Sequence, residues 1–222
     1  MFKLRVFSLV LSLLLISIFI NLNANAQTYL PVGPQTNVPE NTVTEGGWTE
    51  CYRDTYSIEM DASTVLASCP GERLMLSCRQ TGSDTLTLLA QGERSDVTFD
   101  TGDNGDVTHI ANGVGWYFST PGRDSWGFVR AGDSVQKFNC DTDTSGANDE
   151  RLCWHLLPDG GGGYRCGVTE ALNFSTDFER IVYTENVSKP IPTLSEWGMI
   201  TAAAGLGIIG IFFAIRRKRT AA

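Results

Sequence analysis

Two runs of alternating residues decide the fold of this chain: residues 74–78 read LMLSC, and residues 86–90 read LTLLA. The alternating positions are Leu74, Leu76 and Cys78 in the first run, and Leu86, Leu88 and Ala90 in the second. Successive side chains of a strand point to opposite faces, so a period of two indicates strands that bury one face. Gly, Ser and Asp between the two runs favour a turn.

Short runs of the same kind recur along the chain, between turns rich in Gly, Asp, Asn and Ser. They lie at residues 97–99, 114–119, 126–129, 135–138, 152–156, 164–168 and 180–184. One helix is predicted over residues 56–68, where four apolar residues have nearly helical spacing. Many short strands separated by turns predict an all-β fold, either a β-sandwich or a jelly-roll-like arrangement, with one short helix.

Both ends of the chain carry sequence patterns typical of export. Lys3 and Arg5 precede an apolar stretch at residues 6–20, and Ala24-Asn25-Ala26 has the small residues that signal peptidase accepts. We therefore expect a signal peptide at residues 1–26. The next segment, residues 27–47, is rich in Pro, Thr and Asn without an apolar period, which predicts an extended or disordered lead-in. A single domain is then expected at residues 48–184, followed by a linker at residues 185–190.

The charge of the part between the hydrophobic ends limits its partners. Residues 27–190 contain 11 Lys plus Arg and 24 Asp plus Glu, a net charge of −13. Nucleic acids and acidic lipid headgroups are polyanions, so the charge argues against both as partners.

Six cysteines lie in the exported part, at Cys51, Cys69, Cys78, Cys140, Cys153 and Cys166. An even number outside the cytoplasm predicts three disulfides, and six cysteines allow 15 pairings. We favour Cys51 with Cys69, Cys140 with Cys153, and Cys78 with Cys166, which gives two local loops and one bond between an early and a late strand. No two cysteines are close enough in the sequence to indicate a zinc site.

The C-terminal 32 residues contain a motif, an apolar stretch and a basic cluster. Residues 191–198 read IPTLSEWG, residues 197–215 are uncharged, and four basic residues follow. Nineteen residues at about 1.5 Å each span about 28 Å, close to a hydrocarbon core of about 30 Å. The basic cluster favours a cytoplasmic C-terminus. The motif residues are Ile191, Pro192, Thr193, Leu194, Trp197 and Gly198, and the basic residues are Arg216, Arg217, Lys218 and Arg219.

This order resembles the IPTL-CTERM sorting signal of Gram-negative bacteria, a relative of PEP-CTERM. The resemblance implies processing by an exosortase-like enzyme, with the protein in the inner membrane first and at the cell surface or outside the cell afterwards. Residues 48–52, 151–155 and 178–180 also resemble landmarks of an exported bacterial module that accompanies such tails. No activity follows from that second resemblance.

The domain offers no catalytic motif. His109 and His155 are the two histidines, and neither lies in a known nucleophile or zinc motif. Because a catalytic triad is defined in space, His155, a serine such as Ser125 and an aspartate are able to form one from distant positions. A structural role for His155, beside Trp154 in a predicted strand, is the commoner alternative.

An acidic loop is the best candidate for a cation site, although we expect no obligatory cofactor. Residues 141–146 read DTDTSG, and Asp141, Asp143 and Ser145 match the first half of an EF-hand loop. The twelfth position is Leu152 where a bidentate glutamate is needed, so an ordinary solvated turn is the alternative to calcium.

A stretch rich in aromatic residues suggests contact with a glycan. Trp116, Tyr117 and Trp126 lie near Asn and Asp residues that are able to bond sugar hydroxyls. Alternation within residues 116–118 requires one set of rings to face inward, so core packing is the alternative.

These patterns together favour a non-enzymatic protein of the cell envelope or extracellular matrix. Polysaccharide and envelope proteins are its expected partners, with the membrane and the processing enzyme. The alternative is a secreted hydrolase that acts on polysaccharide or ester substrates.

Overall fold

The computed structural model of the chain describes residues 28–102, 106–119, 125–137, 140–156 and 161–185. The predicted signal peptide, the sorting motif, the basic cluster and the predicted transmembrane helix at residues 197–215 lie outside the described residues. Within the described ranges, no helix has the length and apolarity needed to span a membrane.

The described residues form two antiparallel sheets of five strands each. Sheet A contains, in spatial order, β1 (Gln35–Pro39), β4 (Thr85–Glu93), β3 (Arg73–Gln80), β10 (Phe178–Glu185) and β2 (Trp48–Thr55). Sheet B contains β5 (His109–Ala111), β6 (Val114–Ser119), β7 (Ser125–Arg130), β8 (Leu152–His155) and β9 (Arg165–Cys166). The prediction of a mostly β fold is confirmed.

The main hydrophobic core draws on both sheets. Leu74, Leu76 and Leu88 of sheet A share this core with Trp116 and Phe128 of sheet B, and all five are fully buried. The tryptophans and phenylalanines of sheet B meet edge to face, for example Trp126 against Trp154 with centroids 5.7 Å apart. Such pairs add to the hydrophobic stabilisation of a core.

Strand β3 is buried on both faces, whereas alternation predicted one buried face. Met75, Leu89 and Ile181 form a second cluster on the outer side of sheet A, together with Trp48. Leu86, which alternation grouped with Leu88, also belongs to this outer cluster. A second buried face requires another layer of chain over it.

That layer is residues 28–47, here called the N-terminal strap, which we expected to be an extended or disordered lead-in. The structure corrects the expectation of disorder, because the strap contains a strand and a helix. Its residues form β1, which pairs with β4, and α1 (Glu40–Glu45), whose Val43 is fully buried. Glu40 accepts hydrogen bonds from Arg79 at 2.6 Å and from Tyr183 at 2.9 Å. The prolines that suggested disorder flank an edge strand, where proline is tolerated.

Helices are few and short. The helix predicted over residues 56–68 is shortened to α2 (Ala62–Ser68), because Asp61 accepts hydrogen bonds from the backbone of Ser63 and Thr64 and starts the helix there. The strand predicted at 97–99 is wrong, since α3 (Arg94–Val97) ends there. Residues 135–137 contain no strand, and a 3-10 turn at Asn148–Glu150 precedes β8.

Three disulfides join the cysteines in the pairing we favoured. Cys51 bonds Cys69, Cys78 bonds Cys166, and Cys140 bonds Cys153, at sequence separations of 18, 88 and 13. The Cys78–Cys166 bond links β3 of sheet A to β9 of sheet B, so it ties the two layers together.

Candidate functional site

The three aromatic residues predicted to contact a glycan are all fully buried. Trp116 packs edge to face on Phe128, and the indole nitrogen of Trp126 donates to the Val97 carbonyl at 3.0 Å. The Tyr117 hydroxyl donates to the Leu152 carbonyl at 2.7 Å. A sugar stacks only on an exposed ring, so burial removes these side chains as contacts and the core-packing alternative holds for them.

The acidic loop is organised by two buried arginines. Arg151 Nη1 lies 3.0 Å from both carboxylate oxygens of Asp141 and 2.9 Å from the Ser134 carbonyl. Arg165 Nη1 donates to the carbonyls of Asp141 at 3.0 Å and Asp143 at 2.7 Å. The side chains of Asp141, Arg151 and Arg165 are all fully buried. Guanidinium groups therefore bond the loop oxygens that an EF-hand-like loop would offer to a cation.

The side-chain oxygens of Asp141 and Asp143 are bonded by different partners, and the Asp141 carboxylate is held by Arg151. The Asp143 carboxylate instead accepts from the Ser134 hydroxyl and from the Ser145 backbone N–H at 2.8 Å. These hydrogen bonds lower the pKa of Asp143 to about 2. Burial raises the pKa of Asp141, against the opposing effect of Arg151. Across the described ranges, no group of three or more His, Cys, Asp or Glu side chains is arranged to hold a metal ion.

Ser125 and His155 are brought together by the pairing of β7 with β8. The two residues lie directly opposite each other, on the face away from the Trp126 and Trp154 pair. Cβ atoms of opposed residues are about 4.5 to 5.5 Å apart. Ser125 Oγ and His155 Nδ1 are buried, and neither has a hydrogen-bond partner among the described residues. Burial lowers the pKa of His155, which favours the neutral imidazole that a general base requires.

The other features of a hydrolytic site are not assembled around this pair. No hydrogen bond joins Ser125 to His155, and no carboxylate of the described residues is bonded to His155. Ser125 is fully buried. His109 lies elsewhere, with its Nε2 2.8 Å from Asp96 and its ring stacked on Phe99.

Sequence reasoning missed the buried arginines. Arg165 directly precedes Cys166, and Arg151 lies two residues before Cys153. Arg180 donates to the carbonyls of Gly162 and Ile58, both at 2.7 Å. All three arginines are fully buried. No local pattern marked these arginines as buried, because successive strand residues face opposite sides and an arginine within or next to a strand is equally compatible with an exposed face.

The comparisons with known proteins identify a motif in the tail. Residues 189–219 match the model of the IPTL-CTERM motif. Neither the curated proteins nor the solved structures give a significant match to the chain. The protein thus carries a C-terminal sorting signal typical of exported proteins, joined to a domain with three disulfides.

Proposed function

We propose that this chain, which carries the IPTL-CTERM motif at residues 189–219, is a non-enzymatic structural or binding protein of the cell envelope or extracellular matrix. The tail delivers the domain to the inner membrane as a single-pass protein. An exosortase-like enzyme then processes it, and the domain reaches the cell surface or the extracellular space.

The observation that carries the non-enzymatic role is the internal use of the acidic loop. Asp141, its most promising ligand, is buried against Arg151, and Asp143 is bonded to Ser134 and Ser145. Charged groups paired this way hold a loop in one conformation and leave few atoms free for a substrate. Three disulfides stabilise the domain, and such bonds persist in the oxidising environment outside the cytoplasm.

The sorting step is tested in the native host by changing the motif and leaving the apolar stretch intact. Pro192→Ala with Trp197→Ala should trap full-length protein in the inner membrane, because the helix still spans but the processing enzyme no longer recognises it. Ser195→Ala in the same motif is the matched control and should be processed normally. Equal mass and fractionation of wild type and the double variant would leave a plain membrane anchor.

The binding role is tested by locating the processed protein. We expect it to stay with the extracellular matrix or the outer surface, and to be released by polysaccharide-degrading enzymes or by high salt. A processed protein found entirely free in the medium would argue against a structural role.

A secreted hydrolase is the second candidate, favoured by the opposed Ser125 and His155. A fluorophosphonate probe should label Ser125 if this serine is an activated nucleophile. Ser125→Ala should then abolish labelling, and Ser119→Ala, at the neighbouring position across β6 and β7, should not. Labelling that depends on Ser125, with turnover of a simple ester, would replace the non-enzymatic proposal.

A further inference from the structure

We infer that strand β5 is a docking edge, at which an extended basic segment of another envelope polypeptide adds a strand to sheet B. The inference rests on the proposed binding function and deepens it, because it names the kind of partner and the place where it binds. It depends on the backbone of β5, on the protection of the other sheet edges, and on local charge.

The backbone of β5 has one residue whose polar groups face outward. Asn112 and Gly113 form the two-residue turn between β5 and β6, with φ of 52° and 73°. In such a hairpin the residues flanking the turn, Ala111 and Val114, form a hydrogen-bonded pair, and pairs then alternate along the ladder. Ile110, opposite Gly115, is consequently at a position whose N–H and C=O point away from β6. No described residue forms a hydrogen bond with these two groups from outside the hairpin.

The other three sheet edges in the described part of the chain are protected against a further strand. β1 lies between Pro34 and its own last residue Pro39, and Asn37 interrupts it with a positive φ of 55°. β2 carries Glu50, Arg53 and Asp54 along its length. β9 is closed by a bridge in which Cys166 and Thr169 exchange backbone hydrogen bonds. Proline, charge and local closure are the usual ways in which proteins prevent edge pairing.

The strand β5 itself contains no proline and no Asp, Glu, Lys or Arg, and it is flanked by exposed apolar side chains. Ile110 is 61% exposed, Val107 is 63% exposed, and Phe99 is 49% exposed. The Phe99 ring stacks on His109 with centroids 4.4 Å apart, which fixes an aromatic surface next to the edge. Backbone groups supply affinity in strand addition, and neighbouring apolar surface supplies contact for alternate side chains.

The charge around the edge selects the partner. Asp96, Asp100 and Asp106 lie on the chain segment that leads into β5, and residues 27–190 carry a net charge of −13. A second copy of the same domain would bring like charges together, which disfavours self-pairing. A strand with apolar residues alternating with Lys or Arg complements both the acidic groups and the apolar surface.

The test uses the full-length chain in a mild detergent and a peptide of alternating lysine and valine, seven residues long. Hydrogen exchange of the Ile110 amide is the readout, because this N–H has no hydrogen-bond partner among the residues that the structure describes. Saturating peptide should slow its exchange by about tenfold or more. A peptide of alternating glutamate and valine is the charge control and should give no protection.

Variants at the edge separate strand addition from non-specific charge attraction. Ile110→Pro removes the outward N–H, which an edge strand tolerates, and should abolish peptide binding. If the proline variant does not fold, Ile110→Lys replaces it. The added positive charge should repel the basic peptide and abolish binding. Ile110→Val should bind like wild type, and so should Val168→Lys, a change at a 66% exposed position outside β5.

Several outcomes would overturn the inference. These are no protection of Ile110 by the basic peptide, equal binding of the acidic peptide, or protection of Ile110 by self-association without peptide. If the wild-type protein still stays with the envelope in the native host while the peptide fails, the docking edge is wrong and the proposed function stands. If the Ser125 assay reveals a hydrolase, the proposed function fails independently of the peptide result.

Discussion

Removal of the Cys78–Cys166 disulfide should destabilise the domain more than removal of Cys140–Cys153. Both members of each pair are changed to alanine, so that no free thiol is created. The first bond closes the longer segment, with a separation of 88 residues, and joins the two sheets, whereas the second closes 13 residues. Because a disulfide restricts the unfolded chain, the longer loop should contribute more to stability.

The loop lengths give the expected magnitudes. The entropic model gives about 4.6 kcal/mol at 25 °C for the longer loop and about 2.9 kcal/mol for the shorter one. For a domain of this size, about 2 to 4 °C in melting temperature corresponds to each kcal/mol. The loss of Cys78–Cys166 should therefore lower the melting temperature by about 9 to 18 °C, and the loss of Cys140–Cys153 by about 6 to 12 °C.

Urea unfolding followed by tryptophan fluorescence is the assay, since Trp116, Trp126 and Trp154 are buried in the core that both sheets share. The variant without the Cys51–Cys69 bond, which has a sequence separation of 18, is a third test. Its loss of stability should be close to that of the Cys140–Cys153 variant. A Cys78–Cys166 variant that loses no more stability than the Cys140–Cys153 variant would refute the account from loop length.

Three other measurements test the acidic loop and the charged groups. Arg151→Met should lower the free energy of unfolding by about 3 to 5 kcal/mol, because it leaves Asp141 buried without its main partner. The control Arg130→Met removes an exposed ion pair and should change the urea midpoint little. Millimolar calcium should leave the melting temperature unchanged, because Arg151 holds the Asp141 carboxylate that calcium would need. A clear increase in melting temperature with calcium, absent in the Asp143→Ala variant, would contradict this. The pKa values of Asp61 and Asp143 are each lowered to about 2 by hydrogen bonds, so their stabilisation is present above about pH 4 and is lost as the pH falls towards 2. Asp61→Ala should weaken the fall in urea midpoint between about pH 5 and about pH 2.5, a range that spans the ordinary aspartate pKa of about 4, at which the unfolded chain takes up its protons. An unchanged fall would show that the helix cap contributes nothing.

The candidate site was only partly predictable, and the reason differs from residue to residue. The motif at residues 141–146 predicted a candidate cation site, whereas no local pattern indicated that Arg151 and Arg165 bond the oxygens of this loop. The aromatic stretch suggested glycan contact, with core packing as the alternative, because the same rings suit a core and a sugar surface equally well. Burial of Trp116 and Trp126 depends on sheet A lying over them, which no local pattern reports.

The sequence by itself determined the strand period, the oxidised cysteines and the tail motif, because each depends on neighbouring residues or on simple counts. Alternation of side chains reports one strand at a time, and the IPTLSEWG motif is read in order along the chain. Only the tertiary structure decided that β10 lies between β3 and β2, and that the N-terminal strap covers the outer face of sheet A. Strand pairing and the burial of Asp141 against Arg151 depend on contacts between distant segments, and their energies appear only after the chain has closed the loops between them.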